Sequence, residues 1–390
     1  MTRATPVTPP RQRPSKVRSA LQYLSIVLIS ALLFLAIDWM AGDSLARLVQ
    51  SDPELRYRLR DDYLHHTLLP NFRTDTAHWG NKDYTLCTDK HGYKQACDAA
   101  PLPNPIDLAF IGDSFTEGIG MPYKHSFVGL VARAAQRSEQ RVVNLAVASY
   151  SPIIYYHKLE QAFARGLQIK HVVALIDISD IQDEAAIYMD CGGYVCTRYD
   201  SLTWARLAHA LPRHFPTSFE LGRSSKRLWS RVKQLFKGPK RIPTIFKRDY
   251  DRSAWTYNPN IHGYGDMGVA GGIGLALNWM RRTHALLKKH GAELSVGVYP
   301  WPAQLLHDKV DSRQVHIWQR FCQEQGCKHF INLFPLFFDK LGRQKPKDII
   351  ATYYIPGDVH FNRRGNALIA TELIDELQLE ATEALAARER

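Results

Sequence analysis

The chain has 390 residues, 50 Lys and Arg against 38 Asp and Glu for a net charge of +12, and 45% hydrophobic content. That apolar fraction supports a full core and excludes a largely disordered chain, while the length allows two or three domains. The charge is local: five basic residues and no acid lie within residues 1–18, and ten more with no acid lie within residues 222–248. The remainder is mildly acidic, which excludes a generally cationic nucleic-acid-binding surface.

Residues 1–18, rich in Pro, Thr and basic side chains, read as a disordered cytoplasmic tail. From Ala20 to Ile37 only Gln22, Tyr23, Ser25 and Ser30 interrupt an apolar run long enough to cross a bilayer, so residues 19–41 are predicted to be a transmembrane anchor. Arg and Lys before it, with Asp38 and Asp43 after it, place the amino terminus in the cytoplasm and the rest of the chain outside. A cleaved signal peptide is the alternative, but no convincing small-x-small cleavage site follows Ile37. The six cysteines form three close pairs, Cys87 with Cys97, Cys191 with Cys196 and Cys322 with Cys327. Such pairing suits local disulfides in an oxidising compartment, with buried free thiols as the other reading, and lacks the spacing of a zinc site. Residues 42–105 show no sustained period and read as a lead-in of short strands and turns.

From Ile106 strands and helices alternate. Strands are expected at Ile106 to Ile111, Val142 to Val147, Val172 to Ile176, Leu294 to Tyr299 and His329 to Asn332. Helices are expected at Phe127 to Gln136, Ile154 to Arg165, Asn278 to Lys289, Val315 to Gln325 and Ala367 to Leu377. This order implies an α/β fold with a central parallel sheet covered on both faces, which binds ligands at its carboxyl edge. Residues 106–378 are therefore the main domain, with an insertion at about 190–274 and a tail at 379–390. The insertion holds a helix-like stretch from Leu202 to Leu211 and the basic segment 223–248, whose charges interleave with Leu228, Trp229, Val232, Leu235 and Phe236. That pattern suits an anionic membrane surface or a solvated face of the domain; nucleic acid does not fit the predicted topology.

The first strand ends in Gly112-Asp113-Ser114 and opens toward a helix. Asp-Ser there suits a plain helix cap, and it also delivers a serine to the sheet edge, where backbone N–H groups at a helix start can meet a developing negative charge. A serine nucleophile needs a base, and the base an orienting carboxylate. Asp358 and His360, two residues apart in a segment expected to be extended, can supply both from one side of a loop. A loop histidine with a purely structural partner is the other reading of Asp-x-His.

These blocks resemble the SGNH, or GDSL-type, hydrolase family. Its first block is matched by Gly112-Asp113-Ser114 and its last by Asp358 and His360 with the trailing Asn362-Arg363-Arg364-Gly365. Asn144 to Tyr150 stands at the second block, with Ser149 where the family usually has glycine, and Asp177-Ile178-Ser179-Asp180 at the third, with Ser179 in place of asparagine. The resemblance covers roughly Asp107 to Leu377. It implies an SGNH-like α/β/α sandwich in which Ser114 is the nucleophile, His360 the general base and Asp358 the residue that holds its tautomer. It further implies an oxyanion hole from the N–H groups of Ser114 and Ser149 with the Ser179 hydroxyl, supported by Asp113, Asn144 and Asp180, and no metal or organic cofactor. The Asp-x-His spacing, in place of Asp-x-x-His, is similar to that of the membrane-anchored exported subgroup linked to polysaccharide O-acetylation.

The resulting expectation is a serine ester hydrolase acting on O-acyl, above all O-acetyl, groups of an exported glycan or lipid, held in a bacterial inner membrane with its domain facing the periplasm. Two alternatives stand beside it: an O-acetyltransferase working with a multi-spanning membrane acyltransferase, and a catalytically degenerate glycan-binding module.

Overall fold

The computed structural model describes residues 16–49, 57–79, 82–102, 104–198, 215–219, 221, 222, 225, 229 and 251–379. Residues 1–15, the Leu202 to Leu211 stretch, nearly all of the basic segment and the tail from 380 lie outside the described residues. The chain divides into two compact units, one of residues 1–51 with 203–238 and the other of residues 52–202 with 239–390. The lead-in thus belongs to the same unit as the α/β domain, while part of the insertion groups with the anchor.

In the first unit helix α1 (Lys16–Val49) is longer than the expected anchor and begins inside the expected tail. Its apolar span, Ala20–Gly42, has a mean hydropathy of 2.3 and is compatible with a single-pass membrane anchor or a signal sequence. Leu21, Ile26, Leu32 and Trp39 are exposed along it, as a helix built for an apolar solvent requires. Asp38 is the exception. It is buried, and its carboxylate accepts the backbone N–H groups of Thr217 (2.9 Å) and Ser218 (2.7 Å) and the Ser218 hydroxyl (2.6 Å), so it caps the helical turn at 216–219.

The second unit opens with an antiparallel hairpin, β1 (Arg58–Asp61) and β2 (His65–Leu68), and a three-stranded antiparallel sheet, β3 (Arg73–Trp79), β4 (Lys82–Thr88) and β5 (Lys94–Gln95). The alternating part follows in order: β6 (Ile106–Gly112), α2 (Ser114–Glu117), α3 (Phe127–Ala135), β7 (Val142–Asn144), α4 (Pro152–Ala164) and β8 (Ile169–Ile176). A small hairpin, β9 (Tyr188–Asp190) and β10 (Val195–Thr197), precedes α5 (Gly268–Lys289), β11 (Glu293–Val298), α6 (Arg313–Gln325), β12 (Phe330–Asn332) and α7 (Arg363–Glu376). The central sheet has the order β12-β11-β8-β6-β7, and every neighbour is parallel. Its strands are almost continuously apolar because helices cover them, with α3 packed on α7 and α4 on α5. The expected α/β/α class is therefore the observed one.

Among the element boundaries that differ from expectation, two do so for identifiable local reasons. Strand β7 stops at Asn144 rather than Val147, because the Asn144 side chain accepts the Ala146 N–H (3.0 Å) and turns the chain out of the sheet. Helix α5 starts at Gly268, ten residues before the predicted Asn278, since glycines at 268, 271, 272 and 274 hide the helical period. At Gly272 a Cβ would stand 2.4 Å from the Ile181 carbonyl oxygen, so close packing is what selects glycine there. All three cysteine pairs are bonded, with Cα separations of 5.2, 6.0 and 4.8 Å in chain order.

Candidate active site

Strand β6 ends at Gly112, where a Cβ would lie 2.8 Å from the Leu175 carbonyl oxygen of β8 and 2.3 Å from Thr116 Oγ1. Glycine lets the chain turn tightly against its neighbour, and Ser114 emerges at the carboxyl edge of the sheet. Asp113 does cap α2, accepting the Phe115 N–H at 3.0 Å, so the cap and the placement of Ser114 coincide.

Ser114 Oγ lies 2.7 Å from His360 Nε2, and His360 Nδ1 lies 2.5 Å from Asp358 Oδ1. A carboxylate only accepts, so Nδ1 carries the proton and Nε2 is left bare to receive the Ser114 proton. The Asp358–His360 stretch is bent rather than extended as expected: Asp358 Oδ1 also accepts the backbone N–H of His360 at 3.0 Å. Asn362 holds the loop from the other side. Its side-chain oxygen accepts the Arg364 and Gly365 N–H groups to cap α7, and its amide donates to the Thr352 and Tyr354 carbonyls. Asp358 Oδ2 accepts the Trp79 indole N–H at 2.6 Å, and the Trp79 ring stands edge-on to His360 at 5.2 Å. Burial alone would raise the Asp358 carboxyl, but the bonds and charge of His360 and the Trp79 donor outweigh it and hold the group below the usual carboxylate range.

The β7 exit loop approaches the same point. Asn144 Nδ2 donates to the Thr116 carbonyl at 2.8 Å, tying this loop to the turn that carries Ser114. Ser149 has φ +63°, the left-handed conformation that its glycine counterpart would take freely and that costs a serine roughly 1–2 kcal/mol. Both Ser149 and Ser114 line the cavity, and Ser114, as the first residue of α2, has an N–H with no intrahelical acceptor.

No protein-family model matches the sequence, and no curated protein does. Among solved structures the chain is similar to a lipolytic G-D-S-L family protein from Veillonella parvula, with 12% identity over 70% of this chain and 98% of that one and a TM-score of 0.38. A catalytic mutant of an acetylxylan esterase from Geobacillus stearothermophilus aligns at 12% identity over 72% of this chain and 97% of that one, with a TM-score of 0.39. At such scores the likenesses decide nothing about chemistry, which rests on the geometry above.

Ser179 departs from expectation. Its hydroxyl donates to Asp177 Oδ1 at 2.7 Å and its N–H to the same oxygen at 2.6 Å, so its one hydroxyl proton is turned toward Asp177 rather than offered to an oxyanion. Ser179 still lines the cavity. Asp180 lies behind the site, accepting the Tyr155 hydroxyl at 2.8 Å; burial, then the charges of Asp177 and Asp113, push its carboxyl well up. Asp113 is likewise pushed well up by burial and by Asp177, and its Oδ2 lies 3.1 Å from Ser114 Oγ.

Several contributors were not legible in the sequence. Trp79, Arg58, His65 and His66 come from the lead-in, whose lack of period gave no sign that it walls the cavity. Glu117, at the end of α2, is fully buried and forms a bidentate pair with Arg58 (2.8 and 2.9 Å). Burial would raise its carboxyl, but the Arg58 charge and hydrogen bonds hold it low. An acid three residues after Ser114 was the available signal. The cavity measures about 570 Å³ and brings the Trp79, Tyr188 and Trp301 rings beside Arg58, Arg252 and His65. Among the described residues no group of three or more His, Cys, Asp or Glu side chains is arranged to hold a metal ion.

Proposed function

We propose that this protein is a serine-dependent ester hydrolase that removes short acyl groups, above all acetyl, from an exported glycan or lipid. The observation that carries the proposal is the unbroken hydrogen-bond chain from Ser114 through His360 to Asp358 at the sheet edge. His360 Nε2 takes the Ser114 proton as Oγ attacks the acyl carbonyl, and Asp358 stabilises the imidazolium without taking its proton. The N–H groups of Ser114 and Ser149 receive the charge on the carbonyl oxygen. Collapse expels the alcohol, protonated by His360, and water repeats the sequence to free the acid. A 570 Å³ cavity with aromatic rings among polar side chains suits a sugar ring bearing a small acyl group better than a long acyl chain.

Transfer uses the same steps with a sugar hydroxyl in place of water. The N-terminal span favours this second reading, since an anchor in a bacterial inner membrane would hold a periplasmic domain beside a multi-spanning acyl donor. Binding alone has no need of the Ser-His-Asp chain. The test is turnover of an activated acetyl ester and covalent labelling by a serine-directed phosphonate. Ser114→Ala and His360→Ala should each lose nearly all turnover, and the double variant little more. Wild-type protein that neither turns over nor labels would move the glycan-binding reading to the front. Adding a glycan hydroxyl acceptor and measuring how the acyl group partitions between it and water separates transfer from hydrolysis.

A further inference from the structure

Ala148 is held at both of its backbone polar groups by side chains that the catalytic chain does not use. Its N–H donates to Glu117 Oε2 at 2.7 Å, and Glu117 is itself fixed by the two guanidinium bonds of Arg58. Its carbonyl oxygen lies 2.7 Å from His66 Nε2. A carbonyl only accepts, so Nε2 carries the proton; Nδ1 is then bare and accepts from His65 Nδ1 at 2.9 Å. The Tyr150 hydroxyl donates back to the His66 carbonyl at 2.9 Å, so the hairpin and the loop after β7 lock each other.

We propose that His66, with the Glu117–Arg58 pair, is the positioning device that aims the Ser149 N–H at the oxyanion. The Ala148 carbonyl and the Ser149 N–H belong to one planar trans peptide unit and point in opposite directions. Holding the oxygen toward the hairpin therefore turns the N–H away from it, into the cavity that Ser149 shares with Ser114. Serine at φ +63° has no intrinsic preference for that conformation, so an external hold replaces what glycine would accept unaided. Burial, then the neighbouring His65, lowers the His66 ring to about 3, which keeps it a neutral donor across the working range. The hairpin, outside the alternating α/β part, thereby completes the catalytic apparatus.

The proposal rests on the esterase reading, and its test separates the two. In the full chain in nanodiscs, His66→Phe should lower kcat for an activated acetyl ester by about ten- to a hundredfold with KM nearly unchanged, short of full loss of an oxyanion donor. His66→Gln, whose amide nitrogen can occupy the Nε2 position, should recover most of that loss. Independently of turnover, hydrogen exchange in the peptide spanning residues 145–150 should speed up in His66→Phe and Glu117→Gln and stay slow in His66→Gln. If the wild type is inactive and unlabelled, the esterase reading falls while exchange still judges the clamp. Equal kcat in His66→Phe, equal losses in the Phe and Gln variants, or unaltered exchange would each overturn it.

Discussion

Replacing Trp79 by Phe keeps an aromatic ring against His360 and removes one donor from the Asp358 carboxylate. The Nε1 to Oδ2 contact of 2.6 Å is charge-assisted, a class worth roughly 1.5–3 kcal/mol. Were all of that expressed in the transition state, the loss would be about ten- to a hundredfold. The carboxylate is ionised before and after proton transfer, however, so most of the bond is present in both states and cancels. Two opposed residues of the effect remain: Asp358 gains rotational freedom, which misaligns His360, and it becomes more basic, which favours the imidazolium. A net loss in kcat/KM of about three- to tenfold is expected, far below the roughly 10⁴ typical of removing the orienting carboxylate. The pH profile carries the sign. Asp358 is held below its ordinary range partly by Trp79, so losing that donor raises it. That change moves the part of the acid limb of kcat/KM set by the Asp358 carboxyl toward higher pH. The assay is kcat/KM against pH for wild type and Trp79→Phe with an activated acetyl ester. An unmoved acid limb, or a loss equal to that of Asp358→Asn, would refute the reasoning.

Because the Ser179 hydroxyl is turned to Asp177, Ser179→Ala should change kcat by less than about threefold; a loss near a hundredfold would restore the oxyanion role expected from the sequence. Glu184, buried where it accepts Ser151 and the Ile153 N–H, is raised to about 7 by burial. The folded state then holds more protons than the unfolded one between the ordinary range and pH 7, so this group's contribution to stability falls as pH rises through that window. Calorimetry from pH 5 to 8 should find a smaller drop in Tm for Glu184→Gln than for wild type, and an equal drop would count against it. Lys158 is fully buried beneath the Tyr93 and Tyr150 rings with no hydrogen-bond partner for Nζ among the described residues, and burial lowers it to about 7. The unfolded chain keeps that proton to higher pH, so the penalty is complete below pH 7 and fades as pH rises. Lys158→Met should therefore raise stability by on the order of 1–3 kcal/mol at pH 6, after loss of the cation–π contacts, and by less at pH 9. A destabilised variant at pH 6 would show that Met does not fill the site.

The sequence by itself determined the layer architecture, the apolar span and which residues meet in the Ser114–His360–Asp358 cluster, because each is written in a local signal. Buried parallel strands must be continuously apolar, and a glycine turn followed by Asp-Ser announces a serine at a strand end. The cysteine pairs were legible for the same reason, being five to ten residues apart. Ser179 was misjudged because a motif position gives a residue type but not the direction of a hydroxyl, and Asp177, two residues away, takes its proton. Helix α5 began early because glycine's weak helix propensity outweighed, in the sequence, a packing demand that exists only once Ile181 lies against Gly272. Trp79, Arg58 and His66 could be found only in the tertiary structure. They stand 279, 59 and 82 residues from the groups they bond, in an irregular segment without periodicity. What places them is the closing of the lead-in over the carboxyl edge of the sheet. There, groups such as the buried Glu117 carboxylate and the half-buried Ala148 carbonyl must find partners where water is restricted, and only the folded chain decides which residues those are.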